Sequence, residues 1–114
     1  MTSPTQKTLE KLRKEGFLCA ITETWNMFAR CRQDLWGYCD ILAIKDKTIL
    51  AVQTTSFNNI QARVNKILKH KNFMPVMKAG IKIEVWGWRK NKKTGKFELK
   101  VISLTGLDKN LPVC

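Results

Sequence analysis

Asp40, Gln53 and Thr55 are residues whose types and spacing allow joint chemistry, because a single hairpin would gather them at one place. Residues 37–56 read GYCDILAIKDKTILAVQTTS. Two runs of strand formers, 38–44 and 48–54, are joined by the polar pair Asp46 and Lys47, the pattern of a β-hairpin with a two-residue turn. That turn sets the register: Ile44 opposite Ile49, Leu42 opposite Ala51, and Asp40 opposite Gln53. Side chains alternate faces along a strand. Asp40 and Gln53 therefore emerge on one side, roughly 5 Å apart at Cβ, with Thr55 one step further along. A slip of one residue would destroy the coincidence.

The strands that carry these groups have no polar face. Leu42, Ile44, Ile49 and Ala51 share one side, and Ile41, Ala43, Leu50 and Val52 the other, as in strands at the centre of a covered sheet. A buried carboxylate without compensation is costly, so Asp40 requires a hydrogen-bond partner, a cation or a metal ion. Gln53 can meet that need by donating its amide, which would make the pair structural. The same two oxygen-bearing groups can instead face a ligand.

The flanking segments must then place the pair. Ser3 and Pro4 begin a helix that Gly16 ends in a left-handed cap. Residues 17–22 (FLCAIT) read as an interior strand. Residues 24–36 (TWNMFARCRQDLW) read as a long loop, with Glu23 at its entrance. Its arginines, Arg30 and Arg32, suit phosphates, while Phe28 and Trp36 are expected to pack on the sheet. A second helix is expected from about residue 60 to Lys71, with Ile60, Val64, Ile67 and Leu68 as its apolar stripe. Arg63, Lys66 and His70 form a neighbouring polar row whose first members could reach over the hairpin's end. One more helical turn is expected over 73–79, closed by Gly80. Residues 81–89 alternate as a strand, with Trp86 and Trp88 on the face that a helix should cover. Residues 97–104 alternate too, and the connecting KNKKTGK offers Lys90, Lys92, Lys93 and Lys96 as a basic finger.

The 114 residues suit one domain, 1–114, with 21 Lys and Arg against 9 acids and a net charge of +12. That excess favours a polyanion as partner, nucleic acid before a membrane surface. The cysteines Cys19, Cys31, Cys39 and Cys114 match no zinc-ligand spacing, and His70 is the only histidine. No apolar run approaches bilayer length and no leader is evident, so the expected compartment is the cytoplasm, of the host if the chain is viral.

The order helix, strand, loop, hairpin, helix, strand resembles the PD-(D/E)xK nuclease superfamily. The segments TLEKLRKEGF, YCDILAI, ILAVQTTS and ARVNKIL carry the likeness, which is nearest to Holliday-junction-resolvase-like and virus-type replication-repair nucleases. The stretch RQDLWGYCDILAI with AVQTTS also resembles phage-type proteins of that group. The resemblance implies an α/β, restriction-endonuclease-like αβββαβ core with a mixed central sheet flanked by helices. It implies Mg²⁺ (or Mn²⁺) bound by Asp40 and Gln53, branched or duplex DNA as substrate, and a homodimer. Gln53 stands where that family has glutamate, Thr55 where it has lysine, and Thr5 or Gln6 where the first helix carries a glutamate. Mg²⁺ prefers one or two carboxylates. Asp34 is the expected second anion, with Lys66 or Arg63 supplying the missing positive charge.

Overall fold

The computed structural model describes residues 3–22, 24–28 and 30–104, and of residues 24–26, 31 and 32 the backbone alone. Helix α1 spans Pro4–Lys14, with the Ser3 hydroxyl accepting from the Gln6 amide at 3.2 Å and Gly16 following at φ +95°. Its buried residues Thr8, Leu9 and Leu12 lie on one side, as i, i+1, i+4 spacing dictates.

The strands are β1 (Leu18–Ile21), β2 (Thr24–Asn26), β3 (Cys31–Gln33), β4 (Ile41–Lys45), β5 (Thr48–Ser56), β6 (Lys82–Lys90) and β7 (Phe97–Ser103). Five of them form one sheet in the order β1-β4-β5-β6-β7, while β2 and β3 form a separate two-stranded sheet. The pairings are antiparallel except β5 with β6, which run parallel. The architecture is α/β with a mixed central sheet, as expected. The β5–β6 crossover consists of a 3₁₀ turn over Phe57–Asn59, helix α2 (Ile60–Leu68) and helix α3 (Phe73–Lys78).

The central hairpin keeps the register read from its turn: Ile44 pairs with Ile49, Leu42 with Ala51 and Ile41 with Val52. Asp46, in the turn, takes φ +53°. Both faces are covered except at the turn end, a correction to the fully covered hairpin expected, since Ile44 and Ile49 are 42% and 38% exposed beyond the reach of the helices. Ile41, Ala43, Leu50 and Val52 join Leu9, Leu12 and Trp86 beneath α1, and Ala51 joins Ile60, Val64, Ile67, Ile83 and Val85 beneath α2. Gly87 belongs to this packing. A Cβ there would run into the Ile60 side chain and lie 3.2 Å from the Phe57 Cα, so only glycine lets the crossover sit this close to β6.

Four further expectations are corrected. β1 is an edge strand, with Leu18 70% and Ile21 48% exposed, because apolar composition alone does not say whether a strand has neighbours on both sides. The loop over 24–36 is largely the β2–β3 hairpin, whose three-residue strands are too short to show an alternating pattern. Phe28, at its turn, is fully exposed, whereas Trp36 does pack on the core. The second helix stops at Leu68, itself 38% exposed, because the chain breaks there before α3. Trp86 and Trp88 lie under α1 as expected, with Trp88 Nε1 donating to Thr8 Oγ1 at 2.9 Å. Among the described residues no helix is long and apolar enough to cross a membrane.

Candidate functional site

The site grows from the open end of the central hairpin. Asp40 stands one residue before β4, and its backbone is pinned on both sides. Its N–H donates to Val52 O at 2.8 Å, and its C=O accepts from Thr22 N at 2.8 Å. With the main chain held, the carboxylate has little freedom, and it is only 3% exposed. Asp40 Oδ2 accepts from Gln53 Nε2 at 2.9 Å, from Thr54 N at 2.8 Å and from Thr54 Oγ1 at 3.2 Å. Three donors on one oxygen stabilise its charged form.

The Thr54 hydroxyl has one proton, and it is directed at Asp40. Its contact with Thr5 Oγ1 at 2.9 Å therefore has Thr5 as donor. A short relay thus runs from α1 to the carboxylate. Gln53 is constrained in a similar way. Its NH₂ must face the Asp40 oxygen, since the reversed amide would oppose two acceptors. Gln53 Oε1 is thereby turned elsewhere, and it is buried with no hydrogen-bond partner, on a residue 5% exposed. An unsatisfied buried carbonyl costs about 1–3 kcal/mol, so its retention calls for an explanation.

Asp40, Gln53 and Thr54 open onto a cleft of about 500 Å³, with Thr5 and Gln6 from α1, Asp34 and Arg63 on its walls. Asp34 is brought there by a compact turn: Gly37 N bonds Asp34 O at 3.0 Å, while Leu35 and Cys39 exchange N–H···O bonds at 3.1 and 2.9 Å. Trp36 at φ +58° and Gly37 at φ +91° make the reversal. The loop is anchored from below, where Tyr38 Oη donates to Asn72 O and Asn72 Nδ2 to Trp36 O, both at 3.0 Å. Burial pushes the Cys39 thiol pKa up, and the nearby charges of Asp40 and Asp34 add to the rise. Burial likewise holds the Tyr38 phenol protonated, up to about 12.

The structure therefore brings together four sequence-predicted residues, Asp34, Asp40, Gln53 and Arg63. Thr55 is buried beside them, 6% exposed and paired with Gly87, and does not line the cleft. Lys66 is exposed on α2 outside it. Arg30 is exposed in the β2–β3 turn, and the side chain of Arg32, like Glu23, lies outside the described residues. Lys90, Lys92 and Lys93 line a separate groove of about 690 Å³ with Ser56, Phe57 and Arg89. Ser56 is three positions beyond Gln53 on β5, so this groove and the cleft open at the same end of the sheet, roughly 10 Å apart along the strand.

Sequence reasoning did not find Thr54, because an ideal strand would point it away from Gln53, and it named Thr5 only as standing where the resemblance has a glutamate. Thr54 and Gln53 meet at Asp40 only because that carboxylate sits past the end of β4. Arg89 was also unforeseen. Its guanidinium lies 4.1 Å from the Phe57 ring centroid and 3.3 Å from Glu98, so it is oriented before any ligand arrives.

Among the described residues no three or more His, Cys, Asp and Glu side chains cluster as a metal site. The cleft is instead lined by Asp34, Asp40 and Gln53, whose side chains carry hard oxygens of the kind Mg²⁺ and Mn²⁺ accept. The unpartnered Gln53 Oε1 is the feature that fits such an ion. Set against family models, curated proteins and solved structures, the chain matches none, so the cleft is read from its own geometry.

Proposed function

We propose that this chain is a metal-dependent DNA endonuclease with a restriction-endonuclease-like core, hydrolysing phosphodiester bonds in branched or duplex DNA. The observation that carries the reading is the buried, unpartnered Gln53 carbonyl held beside Asp40 by an amide that cannot turn over. A protein that only needed to neutralise Asp40 could have used a smaller donor. Here the donor also carries an idle oxygen, buried on a residue that lines the cleft. The net charge of +12 supplies the attraction for a polyanion. The N-terminal turn of α1 and the end of β5 meet at this cleft.

Asp40, Gln53 and Asp34 would hold Mg²⁺ or Mn²⁺. Bound there, the ion supplies charge neutralisation at the scissile phosphate and acidifies a water. The chain's own residues do the rest. The Thr5–Thr54 relay and the Thr54 amide keep Asp40 ionised and fixed. Arg63 faces the cleft, where a guanidinium can take two phosphate oxygens at once. Lys66, one turn along α2, and Lys90, Lys92 and Lys93 hold the DNA backbone on either side. A homodimer would match the two equivalent strands of a junction.

One observation favours a second reading, a nucleic-acid-binding protein without catalysis. Thr55 occupies the position where the family's lysine would act, and it is buried and uncharged. Incubation with branched, duplex and single-stranded DNA in Mg²⁺ or Mn²⁺ separates the two. Hydrolysis predicts cutting that Asp40→Asn abolishes and that Gln53→Glu retains, with tighter metal binding. Cutting that survives Asp40→Asn rejects this site. Binding without cutting on every substrate and metal selects the second reading.

A further inference from the structure

Beyond the cleft and the groove at Arg89, a third concave surface lies on the α1 side of the β6–β7 hairpin and shares Trp88 with the Arg89 groove. The register fixes the two faces. Trp88 pairs with Leu99 and Lys90 with Phe97, and Trp88 and Leu99 pack toward α1. Arg89 and Glu98 pair on the other face, where Arg89 stacks on Phe57. The α1-side groove has a volume of about 470 Å³ and is lined by Lys7, Glu10, Lys11, Lys14, Trp88 and Phe97.

Three properties set it apart from an ordinary solvated helix face. Lys7, Lys11 and Lys14 recur at i, i+4 and i+7, so they stand in one row, rising ~6 and ~10 Å along the axis. Two aromatic side chains form the groove's apolar part. Phe97 is 47% exposed, and Lys7 Nζ sits 3.7 Å from its ring centroid. Trp88 is locked by its bond to Thr8 Oγ1, which itself donates to Pro4 O at 2.8 Å. Among the described residues the opposing charges are two glutamates. Glu10 shares the groove, and Glu15 meets Lys11 at 3.3 Å in a pair half open to solvent, weak enough to yield to a phosphate.

A row of cations beside an exposed aromatic ring is the chemistry that recognises unpaired nucleic acid: charge for the backbone, a π-face for a base. A duplex presents the same phosphates but keeps its bases stacked inside. We infer that the α1 face of the β6–β7 hairpin binds an unpaired DNA strand, such as the arm of a branched or tailed duplex. Lys7, Lys11 and Lys14 take its phosphates, and Phe97 stacks with a base. This groove adjoins the basic groove at Arg89 across Trp88, and each can take one strand leaving a branch. The inference rests on the nucleic-acid reading above and not on hydrolysis.

Fluorescence anisotropy in a chelating buffer tests it with three probes: an oligo(dT) strand, a blunt duplex, and that duplex with an oligo(dT) arm. Replacing Lys7, Lys11 and Lys14 together by Ala should weaken the strand and the armed duplex by about ten-fold or more. It should flatten their salt dependence by about 2 in slope, at ~0.7 per single-strand contact. Blunt-duplex affinity should stay within about two-fold, and the triple Lys→Arg variant should bind as the parent does. Phe97→Ala should weaken the strand about ten-fold with its salt slope unchanged. Equal losses on all three probes, or no loss on any, overturn the groove. A parent protein that binds no probe overturns the nucleic-acid reading itself, whereas one that binds the armed duplex but never cuts it once Mg²⁺ or Mn²⁺ is supplied rejects hydrolysis alone.

Discussion

The two hairpins of the large sheet divide the work. In β4–β5 Asp40 and Gln53 are buried and Thr54 half-buried, and their positions are set by hydrogen bonds at 2.8–3.2 Å converging on one oxygen. In β6–β7 the tip is a run of exposed lysines whose positive charge, not whose placement, is the asset. Groups that need fixed coordinates sit on central strands, where packing on both faces holds the backbone. Groups that need only sign sit at the edge, where long side chains keep their freedom. The comparison makes a clean demand: substitutions in the first hairpin should change stability, and substitutions in the second should change salt dependence.

The largest effect is expected at Asp40. Asp40→Ala removes the acceptor of the Gln53 amide, the Thr54 N–H and the Thr54 hydroxyl, leaving buried donors unsatisfied. At about 1–3 kcal/mol per stranded group, partly relieved by water entering the cleft, the loss should be about 3 kcal/mol. The melting temperature should fall by more than about 10 °C. A shift of only a degree or two in a thermal melt would mean that the carboxylate is not held as described.

A smaller effect should appear in alkali. Tyr38, the only tyrosine, anchors the turn that leads to Asp40. Burial raises its pKa to about 12, above the ordinary value near 10. The native state thus holds the phenolic proton more tightly than the unfolded chain. Its contribution is complete below about pH 10 and is lost as pH rises toward 12, by up to about 2 kcal/mol. Chemical denaturation across pH 9–11.5 should show a steeper decline for the parent than for Tyr38→Phe, the lysines being common to both. The variant should start about 1 kcal/mol lower at neutral pH for want of the bond to Asn72 O. Parallel curves would place the phenol in water and loosen the anchor.

What could be read from the sequence follows the same division. The hairpin register was legible because period-2 alternation and a two-residue turn leave one solution, and Ile44 with Ile49 and Leu42 with Ala51 are paired accordingly. The cover over Trp86 and Trp88 was legible from their shared face. Position within the sheet was not, since Leu18 and Ile21 have the composition of a central strand while lying at the edge. Nor could alternation reveal Thr54. An ideal strand points it to the α1 side, and only the departure of Asp40 from the ladder lets one carboxylate reach across. Local patterns specify elements. The meeting of elements at their ends depends on backbone detail that no local pattern encodes.

The smallest change in stability belongs to the tip of the second hairpin, and it is the sharpest check on the comparison. Lys92 and Lys93 are exposed beside a turn organised by Asn91, whose Oδ1 accepts from Lys93 N at 2.8 Å and Thr94 N at 3.2 Å. Both bonds use backbone donors, so Lys92→Ala and Lys93→Ala leave the turn intact. Unfolding free energy should therefore move by less than about 0.5 kcal/mol. Binding to blunt duplex should weaken, and the slope of log affinity against log salt should fall by ~0.9 for each phosphate contact removed. A double variant that melts markedly earlier would show that the tip is structural. One that melts normally yet keeps the full slope would take the lysines off the DNA path and leave Arg89, held in place by Phe57 and Glu98, as the cation to test next.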